Sequence, residues 1–211
     1  MHPIPISRRF AVIAAASTLA TLAAAPAFAN GADQFLIVPG KSFGHIKKGA
    51  TLASLEKSFG KANVQVRTVQ PPHGDLPKQR AAIIYPGTPN EATVLLAKNN
   101  RAESVFIERA GGKWATKEGL RVGLPAEEME KLYGGPFAIS GFGQDGGGAV
   151  NREPAKAPAR ELYIRFASPE GLKQPDADQA VLNSEKGFRS DHPAARRAKL
   201  MVSVIWWDLT R

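Results

Sequence analysis

The residues that could carry out covalent chemistry are few in this chain. Nucleophilic catalysis needs a base within hydrogen-bond reach of a hydroxyl or thiol, and a third group to orient that base. There is no cysteine, and beyond the first few positions only three histidines occur, His45, His73 and His192. Asp191-His192 and His73 with Asp75 are local pairs, yet each sits in a polar, proline-containing stretch that reads as a loop. Ser140-Gly141 lacks the G-x-S-x-G frame of a nucleophile elbow. Neither an H-E-x-x-H nor two histidines at helical spacing is present, so no metal site is expected. The glycine run from Gly141 to Gly148 (GFGQDGGG) could cradle an anion on exposed backbone N–H groups, but it has no GK[ST] ending and no helical pattern after it. Asp145 alone within that run is far short of the oxygen donors calcium requires. The expectation is a chain with no catalytic residue, no metal and no cofactor.

Binding chemistry is better represented. Along 160–167, Leu162, Ile164 and Phe166 share one face of a strand while Tyr163 and Arg165 share the other. Near the C-terminus, Leu200, Val202, Val204 and Trp206 alternate with Met201, Ser203, Ile205 and Trp207, so one of the two tryptophans must leave the buried face. Tyrosine, tryptophan and arginine dominate contact hot spots. Tyr163, Arg165 and Trp207 are therefore the candidate contact residues of an open sheet face.

These side chains have to be positioned by something, and the first 29 residues are not part of it. Arg8 and Arg9 precede an apolar run from Phe10 to Ala25, and Ala27-Phe28-Ala29 fits the small-x-small rule for signal cleavage. The run is too short and too rich in alanine, serine and threonine for a membrane span of about 20 residues. Cleavage after Ala29 removes two arginines and no acids, leaving 182 residues and lowering the formal charge from +9 to +7. Ser7-Arg8-Arg9 leaves the general secretory and twin-arginine routes both open. A periplasmic or secreted location makes nucleic acid an unsuitable partner despite the basic balance, and it points instead to proteins or anionic envelope components. The densest basic patch, Arg189 with Arg196, Arg197 and Lys199, falls in a polar, loop-like stretch.

An internal repeat organises the remainder. Residues 46–60 (IKKGATLASLEKSFG) and 120–134 (LRVGLPAEEMEKLYG) align at an offset of 74, with Gly49 on Gly123, Gly60 on Gly134, Leu55 on Met129 and Phe59 on Tyr133. Thr51 is a suitable N-cap and Pro125 suits a first helical turn. Leu52, Leu55 and Phe59 form an apolar stripe that Ala126, Met129 and Tyr133 repeat, and a glycine closes each helix. β patterning follows each helix, at about 63–69, 80–86, 92–98 and 103–109, and again at about 136–142, 148–152, 160–167 and 199–207. The expected fold class is α+β: two tandem units, each a helix plus a four-stranded antiparallel meander, with the helices on one sheet face. The units would cover 30–111 and 112–211, the second interrupted by a polar insertion at about 168–198.

The tandem G-x(10)-G elements, Gly49 to Gly60 and Gly123 to Gly134, with the strands after each, resemble the β-lactamase-inhibitor-protein-like fold shared with small outer-membrane assembly lipoproteins of the SmpA/OmlA type. The GFGQDGGG stretch is similar to segments of uncharacterised exported bacterial proteins. The resemblance covers most of residues 40–207 and implies an exported, non-enzymatic protein that binds others through its sheet face and hairpin loops. Without cysteine, the lipid anchor of the lipoprotein branch has no attachment point. By analogy with the inhibitor branch, loops 70–79 and 141–148 add His73, Asp75, Phe142 and Asp145 to the candidate contacts. The expected function is a soluble binding module for a protein or an envelope polymer, with hydrolase inhibition as a narrower form. The alternatives are an envelope-acting hydrolase and a polyanion-binding protein. If the leader is read correctly, N-terminal sequencing of the protein recovered outside the cytoplasm will begin at Asn30; a sequence that starts at Met1 would contradict it.

Overall fold

The computed structural model describes residues 33–72, 76–151 and 161–211. The leader expected at 1–29 lies outside them. In chain order the elements are β1 (Leu36–Val38), β2 (Ser42–Phe43), α1 (Leu52–Phe59), β3 (Val64–Val69), β4 (Gln79–Ile84), β5 (Ala92–Leu96), β6 (Ala102–Ile107), β7 (Ala115–Thr116), α2 (Ala126–Tyr133), β8 (Ala138–Ile139), β9 (Tyr163–Ala167), α3 (Asp176–Leu182), β10 (Phe188–Arg189), α4 (Pro193–Arg197) and β11 (Met201–Asp208). The class is α+β.

Six strands form the main sheet, in the order β3-β4-β5-β6-β11-β9. All its pairings are antiparallel. The sheet therefore runs directly from the first half of the chain into the second, through the pairing of β6 with β11. The face carrying Ile84, Val94, Val105, Ile164, Phe166, Ile205 and Trp207 packs in one core cluster with Leu55 and Phe59 of α1 and Ala126 and Met129 of α2. The other face carries a small cluster, Ala81, Ile83, Leu95, Phe106 and Val204, flanked by Val69 and Trp206. One face is thus covered by helices, while the other buries this smaller cluster and is half-exposed at Tyr163, Arg165 and Trp206.

Both predicted helices form, and for the reasons read from sequence. Thr51 caps α1 in a capping box with Ser54, and α1 ends at Gly60, whose φ of 84° suits glycine. Gly134 closes α2 in the left-handed region, with its N–H donating to the carbonyls of Glu130 and Lys131. Pro125 sits at the N-cap of α2 instead of inside its first turn. An eight-residue helix is unstable alone, so each depends on the apolar stripe it presses onto the sheet.

The first predicted meander matches β3 to β6 within one or two residues at each strand start and within two at each end. The second does not form as four full strands. The stretch at 136–142 contracts to β8, and among the described residues 148–151 contribute isolated bridges, Ile139 to Val150 and Ala149 to Arg165. Close packing at the glycines explains the loss. A Cβ on Gly148 would stand 2.5 Å from the carbonyl oxygen of Phe166, and one on Gly141 2.1 Å from that of Ser184. These glycines let backbone lie against backbone where a regular strand with side chains has no room.

The stretch at 168–198 is not a polar loop. It holds α3, β10 and α4, and it sends Leu182, Phe188, Ala194, Ala195 and Ala198 into the core. Its three arginines are paired with acids. Arg197 makes a two-pronged contact with the buried Asp178 at 2.7 and 2.6 Å, Arg196 reaches Glu130 at 2.6 Å and Glu127 at 3.4 Å, and Arg189 reaches Asp191 at 2.9 Å. The guanidinium of Arg197 holds the Asp178 carboxyl below its ordinary range.

Short elements ahead of α1 form a second layer. β1 pairs antiparallel with β2 and parallel with β7, and they enclose Trp114, whose ring lies 5.1 Å from Phe35 and 5.2 Å from Phe43. The Trp114 indole N–H donates to the carbonyl of Asn90 at 2.8 Å.

All three tyrosines titrate late. Burial pushes the Tyr133 phenol up to about 12, and it raises Tyr85 and, against the opposing charge of Arg165, Tyr163. Unfolded tyrosine ionises near pH ~10. The fold favours the neutral phenol, so this stabilisation is complete below about pH 10 and is lost as pH rises toward 12. In a spectrophotometric titration the phenolate signal of the native protein will lag behind that of the unfolded chain, and Tyr133→Phe will remove the last step. Coincident titrations would contradict this packing.

Candidate functional site

The half-exposed part of this second face lies on β9 and β11, backed by the buried Phe106 of β6. Tyr163 pairs across the ladder with Trp206, and Trp206 pairs with Phe106. Trp206 and Phe106 stack with centroids 5.0 Å apart and an interplanar angle of 18°. Three aromatic rings therefore form one row across three strands, the arrangement that most strengthens a cross-strand contact.

Trp207 is not the tryptophan that leaves the core. It is 3% exposed on the helix-covered face, and Trp206 takes the open side. The cause is a register shift between Val202 and Val204 in the pairing of β11 with β9. One extra residue there reverses the alternation, so Val202 and Ile205 share the core face while Val204 and Trp206 share the other. A strict period of two through 200–207 gives the opposite grouping after Val202.

A groove of about 610 Å³ lies at the Tyr163–Trp206 end of this face. Lys41, Lys48, Glu161, Asp208 and Arg211 border it with the two rings, and Trp207 also reaches its wall. Arg211 pairs with Asp208 at 3.0 Å. The Asp208 carboxyl is held below its ordinary range: burial opposes this, but the N–H and O–H of Thr210 both donate to it, and Arg211 and Lys48 attract it. Asp208 and Arg211 are engaged with each other, and Lys41, Lys48 and Glu161 are the other charges of the rim. Neither lysine stands out in the sequence, because they come from the β1–β2 turn and the approach to α1, far from β9 and β11 in the chain.

A second groove, of about 660 Å³, lies at the other end of the β9 face, bordered by Pro72, Glu108, Phe142, Arg165, Ser203 and Val204. Arg165 points to the open face as its strand position requires, but its donors are engaged. Its Nε donates to the carbonyl of Gly147 at 3.0 Å, and its Nη1 donates to the carbonyl of Pro72. Tyr163 likewise donates its hydroxyl to the carbonyl of Gly146 at 3.3 Å. Arg165 therefore ties the connection after β3 to the glycine-rich loop, the two loops that the sequence singled out. The Glu108 carboxyl is raised, chiefly by desolvation, with Arg165 opposing and Glu91 reinforcing.

Of the remaining sequence candidates, Phe142 is half-buried against Phe188, with ring centroids 5.7 Å apart, and Asp145 is exposed at the loop tip. His73 and Asp75 lie outside the described residues. His192 caps α4 by accepting the Ala194 N–H on Nδ1 at 3.1 Å, while its neighbour Asp191 is bound to Arg189. Among the described residues no cluster of three metal-ligating side chains occurs, and no helix is long and apolar enough to cross a membrane. Within the glycine loop, N–H groups are used internally: Gly147 donates to Gln144 and Gly148 to Ser140. That leaves a packing role for these glycines in place of an anion cradle.

No protein-family model matches the chain, and no curated protein matches it. Among solved structures it is similar to the uncharacterized protein yfeY from Escherichia coli. The two share 15% identity over 78% of this chain and 97% of that one, with a TM-score of 0.39.

The Arg165 clasp makes a direct prediction. Charge-assisted hydrogen bonds of this kind contribute about 2 kcal/mol. Arg165→Ala will lower stability by about that amount and speed amide exchange through 141–148 by more than in α1 and α2. Equal exchange in the loop would mean that the clasp does not hold it.

Proposed function

We propose that this protein is an exported, non-enzymatic binding module, and that the Tyr163–Trp206 groove takes a ring-bearing anionic segment of an envelope polymer. The observation that carries the reading is the combination in one groove of Tyr163 and Trp206, the latter backed by the buried Phe106, with Lys41 and Lys48 at the rim. Flat aromatic faces bury the apolar faces of sugar rings, and the two lysines supply charge to acidic substituents. A volume of about 610 Å³ suits one or two rings, which is consistent with a polymer running across the face.

The hydrolase alternative would need one carboxyl held protonated at neutral pH as a general acid. Asp208 is biased the other way, toward its ionised form. Glu108, whose pKa is raised, belongs to the other groove, beside Arg165. The polyanion alternative centred on Arg189, Arg196 and Arg197 loses force because each of these is matched with an acid.

The tandem reading of the chain belongs to the same proposal. Helices α1 and α2 start and stop 74 residues apart. The N–H of Leu52 donates to Asn100 and that of Ala126 to Leu200, while the N–H of Ala102 donates to Ala50 and that of Val202 to Leu124. Each helix start is thus tied in the same way to the start of a strand, β6 in one case and β11 in the other. Such a duplication, with β8 and 148–150 as a reduced counterpart of β3 and β4, is the organisation that the inhibitor-like and SmpA/OmlA-type resemblance implies.

The test is calorimetric titration with peptidoglycan fragments, an acidic polysaccharide oligomer and a neutral glucan. The acidic and peptidoglycan ligands will bind, and Trp206→Ala and Lys48→Glu will each weaken them at least tenfold. Binding that ignores Trp206→Ala, or cleavage of any of these polymers, would overturn the proposal.

A further inference from the structure

The two edges of the main sheet are treated differently. At the β9 edge, Val150 donates its N–H to the carbonyl of Ile164 at 2.9 Å and Phe166 donates to that of Gly148 at 2.8 Å, so the glycine-rich segment covers it. At the other edge, β3 pairs with β4 in unbroken register over six residues. The Tyr85 N–H donates to the carbonyl of Asn63 at 2.8 Å, which places the backbone groups of 63, 65, 67 and 69 toward β4. Those of Val64, Val66 and Thr68 therefore aim outward. The Val64 N–H is used by the carbonyl of Lys61, but among the described residues no group meets the N–H or C=O of Val66 or Thr68.

Edge strands are normally blunted by proline, lysine, a bulge or a covering segment. β3, reading VQVRTV, has none of the first three. Gln65, Val66, Arg67 and Thr68 are all exposed. Val66, 40% exposed, is one of two large apolar side chains left open among the described residues.

We propose that β3 is a self-association edge: two copies pair antiparallel through β3 about a two-fold axis at Val66. The register follows from the strand itself. A two-fold axis perpendicular to the sheet places Val66 opposite its own copy, Val64 opposite Thr68 and Gln65 opposite Arg67. The outward groups then meet in two Val66 N–H to Val66 C=O bonds and two Thr68 N–H to Val64 C=O bonds. Centring the axis on Arg67 would set two like charges face to face, which is destabilising. Centring it on Gln65 would bring Thr68 against residue 62, in the 3-10 turn Lys61–Asn63 before the strand. Only the Val66 register uses the whole of the free edge without a charge conflict. It also extends a layer already present, because Val66 lies on the face of Ala82 and Ile84, the helix-covered one. The exposed valines meet each other there, and the two six-stranded sheets become one. The aromatic groove, at the opposite end of the strand order, stays open in both copies.

The absence of cysteine from the chain makes the test clean. In a hydrogen-bonded antiparallel pair the facing Cα atoms are about 5.5 Å apart, within disulfide range. With the protein purified as it accumulates in the cell, Val66→Cys will form a covalent dimer under mild oxidation, and Arg67→Cys, which faces Gln65, will do so at least tenfold more slowly. Sedimentation of the unmodified protein will show a concentration-dependent dimer. Val66→Pro removes only an outward N–H, a position where an edge strand tolerates proline, and it will be monomeric with an unchanged circular dichroism spectrum. Should that variant misfold, Val66→Lys, which keeps the backbone intact, will give the monomer instead. A protein that is monomeric at all concentrations, a dimer that survives Val66→Lys, or equal crosslinking at positions 66 and 67 would each overturn the proposal. So would a monomer that captures an extended peptide along β3 in place of its own copy.

Discussion

Everything else in the molecule depends on the ladder between β6 and β11. It pairs Ile107 with Ile205, Phe106 with Trp206, Val105 with Trp207 and Ser104 with Asp208. Without it the sheet would divide into a four-stranded piece, β3-β4-β5-β6, and a two-stranded one, β11-β9. A two-stranded piece is marginal in water, so β9 and β11 depend on this pairing. Joining the two pieces gives one helix-covered layer that runs from Phe35 to Leu209 in a single cluster. It also brings Trp206 onto the buried Phe106, and so the aromatic stack of the second face is a consequence of the same pairing.

How much of this the sequence disclosed depended on whether a local period governed the segment. Both helices could be read because cap, stripe and terminating glycine are contiguous in the chain. The strands β3 to β6 could be read because β-branched and aliphatic runs are separated by proline, glycine and asparagine. The second half gave less away for a physical reason. Its strand-like runs meet glycines that pack backbone on backbone, as at Gly141 and Gly148, and such contacts leave no hydropathy pattern. The helices of 168–198 bury alanines such as Ala194 and Ala198, so a stretch rich in charge still feeds the core.

The groove shows the same division more sharply. Tyr163 and Arg165 could be placed on the open face because β9 keeps a strict alternation. The choice between Trp206 and Trp207 turned on one bulged residue, which no periodicity through 200–207 could reveal. Lys41 and Lys48 were beyond reach altogether, because they enter the groove through the way β1 and β2 pack beside β9 and β11, a tertiary relation without a local signature.

Placement on an open face is also not the same as availability. Arg165 satisfies the strand-pattern argument for a contact residue, yet the carbonyls of Pro72 and Gly147 claim its guanidinium. A loop that lies flat on a sheet edge presents backbone oxygens that must be paired, and a long cation within reach is the natural donor. The arginines of the second half follow the same logic through Asp178, Glu130 and Asp191. A net charge of +9 over the chain thus overstates what a ligand would meet, since much of the guanidinium charge is bound into the fold. What remains for recognition is concentrated where side chains are held by stacking and strand pairing, with lysines at the rim, and that is the Tyr163–Trp206 groove.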